Sequence, residues 1–350
     1  MELGDLAKRR GEWLRGRGPH SDIVISSRVR LARNLTDFPF VGRADDDDRT
    51  MITKSLREVV QKLWDEDGLI YADLEKISPV ERDLLIERQL ISSELARRDG
   101  ARGAAIDAKE RFSLMVNEED HLRIQAIRSG LALEEAWEQV DKIDDQVEEL
   151  VSYAYDDQFG YLTACPTNVG TGLRVSVMMH LPGLVLTRQI DHVFRSMQKI
   201  NLAVRGWHGE GSQSLGDFYQ ISNQITLGRS EKELIEQVGE VVPYIITYER
   251  KARETLADER EEMLNDRVFR AIGLLRTAHT ISREEAMKYL SGARLGIHLG
   301  LIDDVDISAL NDVLLEIQPA HIQKKMGREM EAGERDVERA RLLRARFNPN

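Results

Sequence analysis

Five arginines, together with glutamates and the only cysteine, lie in four short segments that are far apart in the chain. They are SSRVR (Ser26–Arg30), NEEDHLR (Asn117–Arg123), CPTNVGTGLR (Cys165–Arg174) and VRGWHGEG (Val204–Gly211). An arginine presents a planar fork that grips phosphate oxygens in pairs, and a glutamate can hold and deprotonate a basic nucleophile. Such groups cooperate only when they face one another, so the fold has to gather four distant segments on one site. Together they point to phosphoryl transfer. Singly, none carries that reading: a surface arginine–glutamate pair is ordinarily a solvated ion pair of small worth, and a lone cysteine a small buried hydrophobe.

Apolar periodicity sorts the chain into two parts. A β-like stretch is expected around Asp22–Val29. Strands are expected over Phe112–Val116, Arg174–Leu181, Leu202–Arg205 and Phe218–Gln224. Between them, helical spacing marks Arg49–Trp64, Leu133–Tyr153 and Leu184–Ile200. The acidic run Asp45–Asp48 reads as a solvated loop and helix start. After Gly228 the character changes: Ser230 with Glu233 and Ser282 with Glu285 form capping boxes, and nearly every later segment reads as helix. Pro243 and the glycines beyond it suggest a boundary near residues 240–255, with the charged stretch Tyr248–Glu262 as a connecting helix. The expected division is an N-terminal arm (1–25), a mixed domain (26–245) and a helical C-terminal domain (246–350).

At 350 residues, 41% of them hydrophobic, the chain can bury two cores. One cysteine rules out an intrachain disulfide and a multi-cysteine zinc site, which fits a reducing cytoplasm. No apolar run reaches the ~18 residues of a membrane span, and the N-terminal residues lack the apolar stretch of a signal peptide. The formal charge of -12 argues against general nucleic-acid binding. Yet 37 of the 49 basic residues are arginine, a bias consistent with oxyanion recognition and equally with heat adaptation or GC-rich coding. There is no GxxxxGK[ST], HRD or DFG, so a P-loop and a eukaryotic-type protein kinase are not supported.

Taken in order, the four segments resemble the catalytic domain of the phosphagen kinases, the ATP:guanidino phosphotransferases, over roughly the first 240 residues. The resemblance implies an α+β catalytic domain, an antiparallel sheet flanked by helices. Relatives carry a helical domain of order 100 residues before SxRVR, whereas 25 residues precede it here and a helical region follows. That architecture is similar to the bacterial protein-arginine kinases, and RDVERA (Arg335–Ala340) matches the motif associated with their phosphoarginine pocket. The all-helical C-terminal domain would then serve dimerisation and phosphoarginine binding.

The resemblance implies roles residue by residue. Glu119 and Glu210 would grip the guanidinium of the acceptor, Glu119 as general base, and Cys165 would sit beside it as a thiolate that orders it. A guanidinium, with a pKa above ~12, is no nucleophile until it loses a proton, so a base is required. The phosphates of ATP would meet Ser26, Ser27, Arg28, Val29, Arg30, Arg123, Arg174, Val175, Ser176, Val177, Met178, Arg205, Gly206, Trp207, His208 and Gly209. Glycines 206, 209 and 211 would let the segment around Glu210 close. Mg2+ would bridge the phosphates without direct protein ligands, Glu118 touching a metal-bound water. Gln89 stands where relatives place a histidine against the adenine, so the adenine contact is expected to differ there. His121 is expected to be structural.

A phosphoarginine carries a phosphate and a guanidino group, so its pocket needs cations and an anion close together. Arg335, Arg339 and Asp336, with Ala340, supply them within about one helical turn; without the kinase segments the same helix would read as a solvated charged face. The expected function is Mg·ATP-dependent phosphorylation of arginine side chains in proteins. Clp protease machinery, a heat-shock repressor and a second copy of the chain are the partners the resemblance implies. The alternatives are a guanidino kinase acting on free arginine or a similar metabolite and a catalytically idle phosphoarginine reader or adaptor.

Overall fold

Strand β1 (Val24–Arg33) alternates between two kinds of neighbour, and that alternation organises the molecule. Ser27, Val29 and Leu31 face one way, Ser26, Arg28 and Arg30 the other. The computed structural model describes residues 3–64, 68–206 and 215–348. The further strands are β2 (Leu69–Asp73), β3 (Gly103–Asp107), β4 (Phe112–Val116), β5 (Leu122–Ser129), β6 (Tyr155–Asp156), β7 (Gly160–Tyr161), β8 (Leu173–His180), β9 (Leu202–Gly206) and β10 (Phe218–Asn223). Eight of them form one sheet in the order β2-β3-β4-β5-β1-β8-β10-β9, antiparallel at every pairing, while β6 and β7 make a separate hairpin.

The apolar face of this sheet is covered by three helices. Val29, Leu31, Ile124, Val175, Val177 and Ile221 pack beneath Asp46–Leu63, Leu133–Glu148 and the first half of Glu231–Glu259. Leu133–Glu148 contributes Ala136, Val140, Ile143 and Val147, spaced to fall on one stripe. Full burial of each valine or isoleucine is worth about 1.5–3 kcal/mol, enough to fix which face turns inward. The other face carries the arginines.

A second core joins the chain's two ends. Trp13 and Leu14 pack with Val268, Ile272, Leu290, Leu314, Leu343 and Phe347 of the C-terminal helices. Trp13 and Leu14, within the residues expected as an N-terminal arm, are thus buried in that layer. Helix Glu231–Glu259 runs unbroken through Pro243, with Ile245 and Ile246 in the first core and Leu256 in the second. The boundary placed at 246 therefore falls inside a helix shared by both cores. Both expected capping boxes are present, Ser230 with Glu233 and Ser282 with Glu285.

Two helices end earlier than periodicity predicts. Leu133–Glu148 stops short of Tyr153 because Tyr153 bridges to Leu35 instead and its carbonyl accepts from Thr36 Oγ1 at 2.8 Å. The helix expected over Leu184–Ile200 is two, Pro182–Leu186 and Ile190–Lys199. Arg188 interrupts it at φ 60°, and the Gln189 N–H closes back on the Leu184 carbonyl at 2.9 Å, a helix-ending geometry. Among the described residues no helix is long and apolar enough to cross a membrane.

Candidate active site

Strand register decides which residues share the arginine face. Arg30 lies opposite Arg174 on β8 and Gln125 on β5, Arg28 opposite Ser176, and Ala32 opposite Arg123. Gln220 lies opposite Met178 and Arg205, and Ser222 opposite Ser176. Directly paired residues project to the same side, so Ser26, Arg28, Arg30, Arg123, Arg174, Ser176 and Arg205 are gathered on one surface with Gln125, Gln220 and Ser222. All five arginines singled out in the sequence stand on it.

The same register corrects part of the expectation. Val29, Val175 and Val177 point to the opposite side and are fully buried in the core, so their side chains do not reach a phosphate on the arginine face. Ser27 also turns inward, where its Oγ donates to the Gly130 carbonyl at 2.9 Å and accepts the Ala132 N–H at 3.0 Å. Met178 is on the arginine side but is buried in the second core.

The arginine face is electrostatically strained. Arg28 donates to two neutral amide oxygens, Gln89 Oε1 at 3.2 Å and Gln220 Oε1 at 2.9 Å. Burial, and then Arg174 and Arg123, push its pKa down to about 10. Arg30 is held well below the usual arginine range by burial and by Arg28, Arg123 and Arg174, with Glu118 opposing. Cations gathered this closely are stabilised by an anion. Gln89, expected at the adenine, touches this cluster through Arg28.

The glutamates stand on the turn between β4 and β5. Asn117 adopts φ 58°, and its Nδ2 donates to Arg49 O, Thr53 Oγ1 and Ala101 O at 2.9–3.0 Å, which fixes the turn to three neighbours. Glu118 is buried; Ser92 Oγ donates to it at 2.5 Å and Arg123 Nη1 lies 2.5 Å from its Oε2. Glu119 is half-exposed, with Arg123 Nη2 3.3 Å away. Burial, with Asp120 and Glu118, raises the Glu119 pKa against the pull of Arg123. One arginine therefore locks Glu118 and leaves Glu119 able to turn to a substrate. Glu118, expected to reach a metal-bound water, has both oxygens engaged within the protein. Among the described residues no group of three or more His, Cys, Asp or Glu could hold a metal ion.

Asp120 and His121 are structural. Asp120 Oδ1 accepts from Asn34 Nδ2 and from the Ala164 N–H, both at 2.7 Å. His121 Nδ1 accepts the Leu35 N–H at 3.0 Å while Nε2 donates to Pro39 O at 2.8 Å, and burial lowers its pKa, so it is neutral. Asp120 thus ties the residue after Glu119 to the residue before Cys165. Cys165 Sγ lies 3.0 Å from Thr167 Oγ1 and is partly exposed at the start of the short 3-10 turn Pro166–Asn168. Arg205 and Gly206 end β9; Trp207, His208, Gly209 and Glu210 lie outside the described residues.

A family model described as ATP:guanido phosphotransferase, C-terminal catalytic domain, matches residues 51–252, and one described as protein-arginine kinase McsB C-terminal domain matches 261–350. The protein-arginine kinase of Halothermothrix orenii is 46% identical over 349 residues, 99% of this chain and 100% of its own. That of Symbiobacterium thermophilum is 45% identical over 347 residues, 98% of each. The chain belongs to the protein-arginine kinases. Among solved structures, the duplicated taurocyamine kinase of Schistosoma mansoni with bound transition-state analogue components is similar at TM-score 0.62 and 26% identity, over 71% of this chain and 36% of that one. Lombricine kinase, at TM-score 0.59 and 24% identity over 70% of each chain, shares the fold.

In this kinase the C-terminal RDVERA motif divides between surface and core. Arg339 is buried; its Nε donates to Ile317 O at 2.8 Å, and its Nη1 to Ile281 O at 3.0 Å and to Asp336 Oδ1. Ala340 is buried as well. Arg335 and Asp336 are partly exposed, Arg335 donating to the Met330 carbonyl. Sequence reasoning missed Gln125, Gln220 and Ser222 on the arginine face, and Asn34 and Asp120 behind the glutamates. Alternation along β10 from Ile221 would have found Gln220 and Ser222; nothing local marks Asn34, whose partners lie far away in the sequence.

Proposed function

We propose that Arg28, Arg30, Arg123, Arg174 and Arg205 hold the phosphates of ATP, which arrives as its Mg2+ complex, and that the acceptor is an arginine side chain of a protein presented between Glu119 and Cys165. Glu119 takes a proton from a terminal guanidino nitrogen. The freed lone pair forms a bond to the γ-phosphorus, the bond from that phosphorus to the bridging oxygen breaks, and the electron pair leaves with ADP. Glu210, assigned from the resemblance, is the second clamp, and Cys165 balances the charge of the guanidinium. The observation that carries this reading is the crowding of the arginine face, with Arg28 pushed down to about 10. Such a surface is stabilised by a polyanion.

The same reading assigns the helical C-terminal region to dimerisation and, through Arg335 and Asp336 with Arg339 and Ala340 behind them, to phosphoarginine. Delivery of marked proteins to Clp protease machinery, control of a heat-shock repressor and a cytoplasmic setting follow from the resemblance. The test is incubation with Mg·ATP and an unfolded protein or free arginine. Acid-labile, base-resistant phosphate on protein arginines, lost in Glu119→Gln, is the expected result; efficient transfer to free arginine alone would sink it.

A further inference from the structure

The hairpin β6–β7 carries a row of aromatic rings that begins in the core and ends at the surface beside the Cys165 loop. Arg33 is buried and held by Asp144 Oδ2, 3.1 Å from Nε and 2.6 Å from Nη2. Its guanidinium carbon sits 3.6 Å from the centroid of Tyr161. Tyr161 in turn meets Tyr153 and Tyr155 edge to face, with centroids 6.0 and 5.3 Å away. Tyr155 at the end of the row is 58% exposed, and Phe159 in the adjoining turn 50%. The rings are fixed from beneath, yet nothing in phosphoryl transfer uses them.

Across from them Leu227, 48% exposed, forms the second wall of an open groove of about 360 Å³. The groove is continuous with the loop that begins at Cys165. Tyr161 and Gly170 exchange backbone hydrogen bonds at 2.8 and 3.3 Å, and Thr226 Oγ1 donates to Thr167 O and Val169 O at 2.9 and 2.7 Å. The approach is so close that a Cβ on Gly160 would fall 2.6 Å from the Gly170 carbonyl. Asp156 and Asp157 in the hairpin and Glu231 at the rim outnumber Arg229, so the surroundings favour a cationic chain.

We propose that this groove is a subsite for the polypeptide substrate, taking an apolar or aromatic side chain that flanks the target arginine. The proposal rests on the reading that Cys165 lies beside the target guanidinium. Tyr161 precedes Cys165 by four residues, so their Cα atoms lie at most about 14 Å apart, a span that an extended substrate rising about 3.3 Å per residue covers in about four residues. Rigid aromatic side chains bind with little entropic loss, and a small pocket of this kind concentrates binding energy. A second copy of the chain is a poor occupant, because a stable interface buries about 800 Å² per partner and this groove holds one or two side chains.

The test compares single-arginine peptides with tryptophan or leucine four residues from the arginine against the same peptides with glycine there, and against N-acetyl-arginine amide. Wild-type kcat/KM should be about tenfold higher with the apolar flank. In Tyr155→Ala/Phe159→Ala that preference should vanish through KM, with the glycine-flanked peptide and the amide unchanged, and Tyr155→Phe should retain it. Preference surviving in the double variant, or an equal loss on all three substrates, overturns the subsite. If the double variant fails to fold, a benzoylphenylalanine at the flanking position photolabels the wild-type enzyme: adducts within 155–161 or 225–229 support the proposal, and adducts elsewhere end it. Wild-type turnover of the amide that persists in Glu119→Gln would refute the catalytic reading and leave the flank preference standing.

Discussion

The Arg123 guanidinium holds two adjacent glutamates unequally, Glu118 at 2.5 Å and buried, Glu119 at 3.3 Å with its side chain 45% exposed. The first is a fixed strut and the second is available, which separates their roles more sharply than sequence position does. Glu119→Gln retains the shape and removes the base, so phosphate transfer should fall by at least about a hundredfold while nucleotide affinity stays near wild type. Single-turnover transfer and equilibrium nucleotide binding, measured on the same preparation, read the two terms separately.

The raised pKa of Glu119 has a kinetic sign. A general base works when ionised, so activity is lost as pH falls through its pKa in the folded protein, and that limb should sit above the ordinary glutamate value of about 4.3. Glu118→Gln removes a neighbouring negative charge and frees Arg123 to engage Glu119. Both changes favour the carboxylate, so the acid limb of kcat/KM should move to lower pH. A limb that stays in place would assign the base elsewhere.

The arginine face should announce its ligand through stability. Without an anion, Arg28, Arg30, Arg123 and Arg174 repel one another in a desolvated setting. Inorganic pyrophosphate or ADP binds the folded state alone and should raise the melting temperature by several degrees at about a hundred times Kd, a gain of ~2.7 kcal/mol. Arg30→Gln relieves the repulsion, so its ligand-free form should melt no lower than wild type while its ligand-induced shift shrinks. Calorimetric scans with and without pyrophosphate decide it.

The sequence displayed the chemistry more readily than the geometry. Arg28, Arg30, Arg123, Arg174 and Arg205, which the strand register brings to one face, could be picked out by residue type before any strand was paired. Helix starts were also legible, because Ser230 with Glu233 and Ser282 with Glu285 satisfy backbone N–H groups within one turn. The alternation within SSRVR and RVSVM was not read from the sequence: a strand turns every second side chain away, and those of Val29, Val175 and Val177 belong to the core. Strands β2 and β3 escaped notice because LIYAD and GAAID carry alanine, aspartate and glycine, residues depleted in strands. Helix ends were misjudged where distant partners set them, as Leu35 does for Tyr153.

Acid should loosen the helical half. Burial, then Arg294 and Arg253, lower the His298 pKa to about 3 against the pull of Asp22. An unfolded histidine protonates near 6.5, so below that pH the unfolded chain takes up a proton that the folded one refuses. Stability from this group is full above about pH 6.5 and is lost as pH falls toward 3, by ~2 kcal/mol at pH 5. His298→Gln should flatten the decline of the melting temperature between pH 7 and 5. An unchanged slope would mean that His298 titrates in the folded protein as it does in the unfolded chain.

Arg335 and Arg339 belong to one motif and should separate cleanly on mutation. Arg339 is buried, with its guanidinium donating to the carbonyls of Ile317 and Ile281, so Arg339→Ala strands two acceptors and opens a cavity. A loss of roughly 3 kcal/mol in unfolding free energy is expected, from hydrogen bonds to a charged group worth about 1.5–3 kcal/mol each. Arg335 is only partly buried and spans to the Met330 carbonyl at a helix start, so Arg335→Ala should cost under about 1 kcal/mol. If Arg335 and Asp336 bind phosphoarginine, Arg335→Ala and Asp336→Ala should each weaken it about ten- to a hundredfold by calorimetry, with the fold intact. Unchanged affinity in the Arg335→Ala/Asp336→Ala double variant would reduce RDVERA to a packing motif anchored by Arg339.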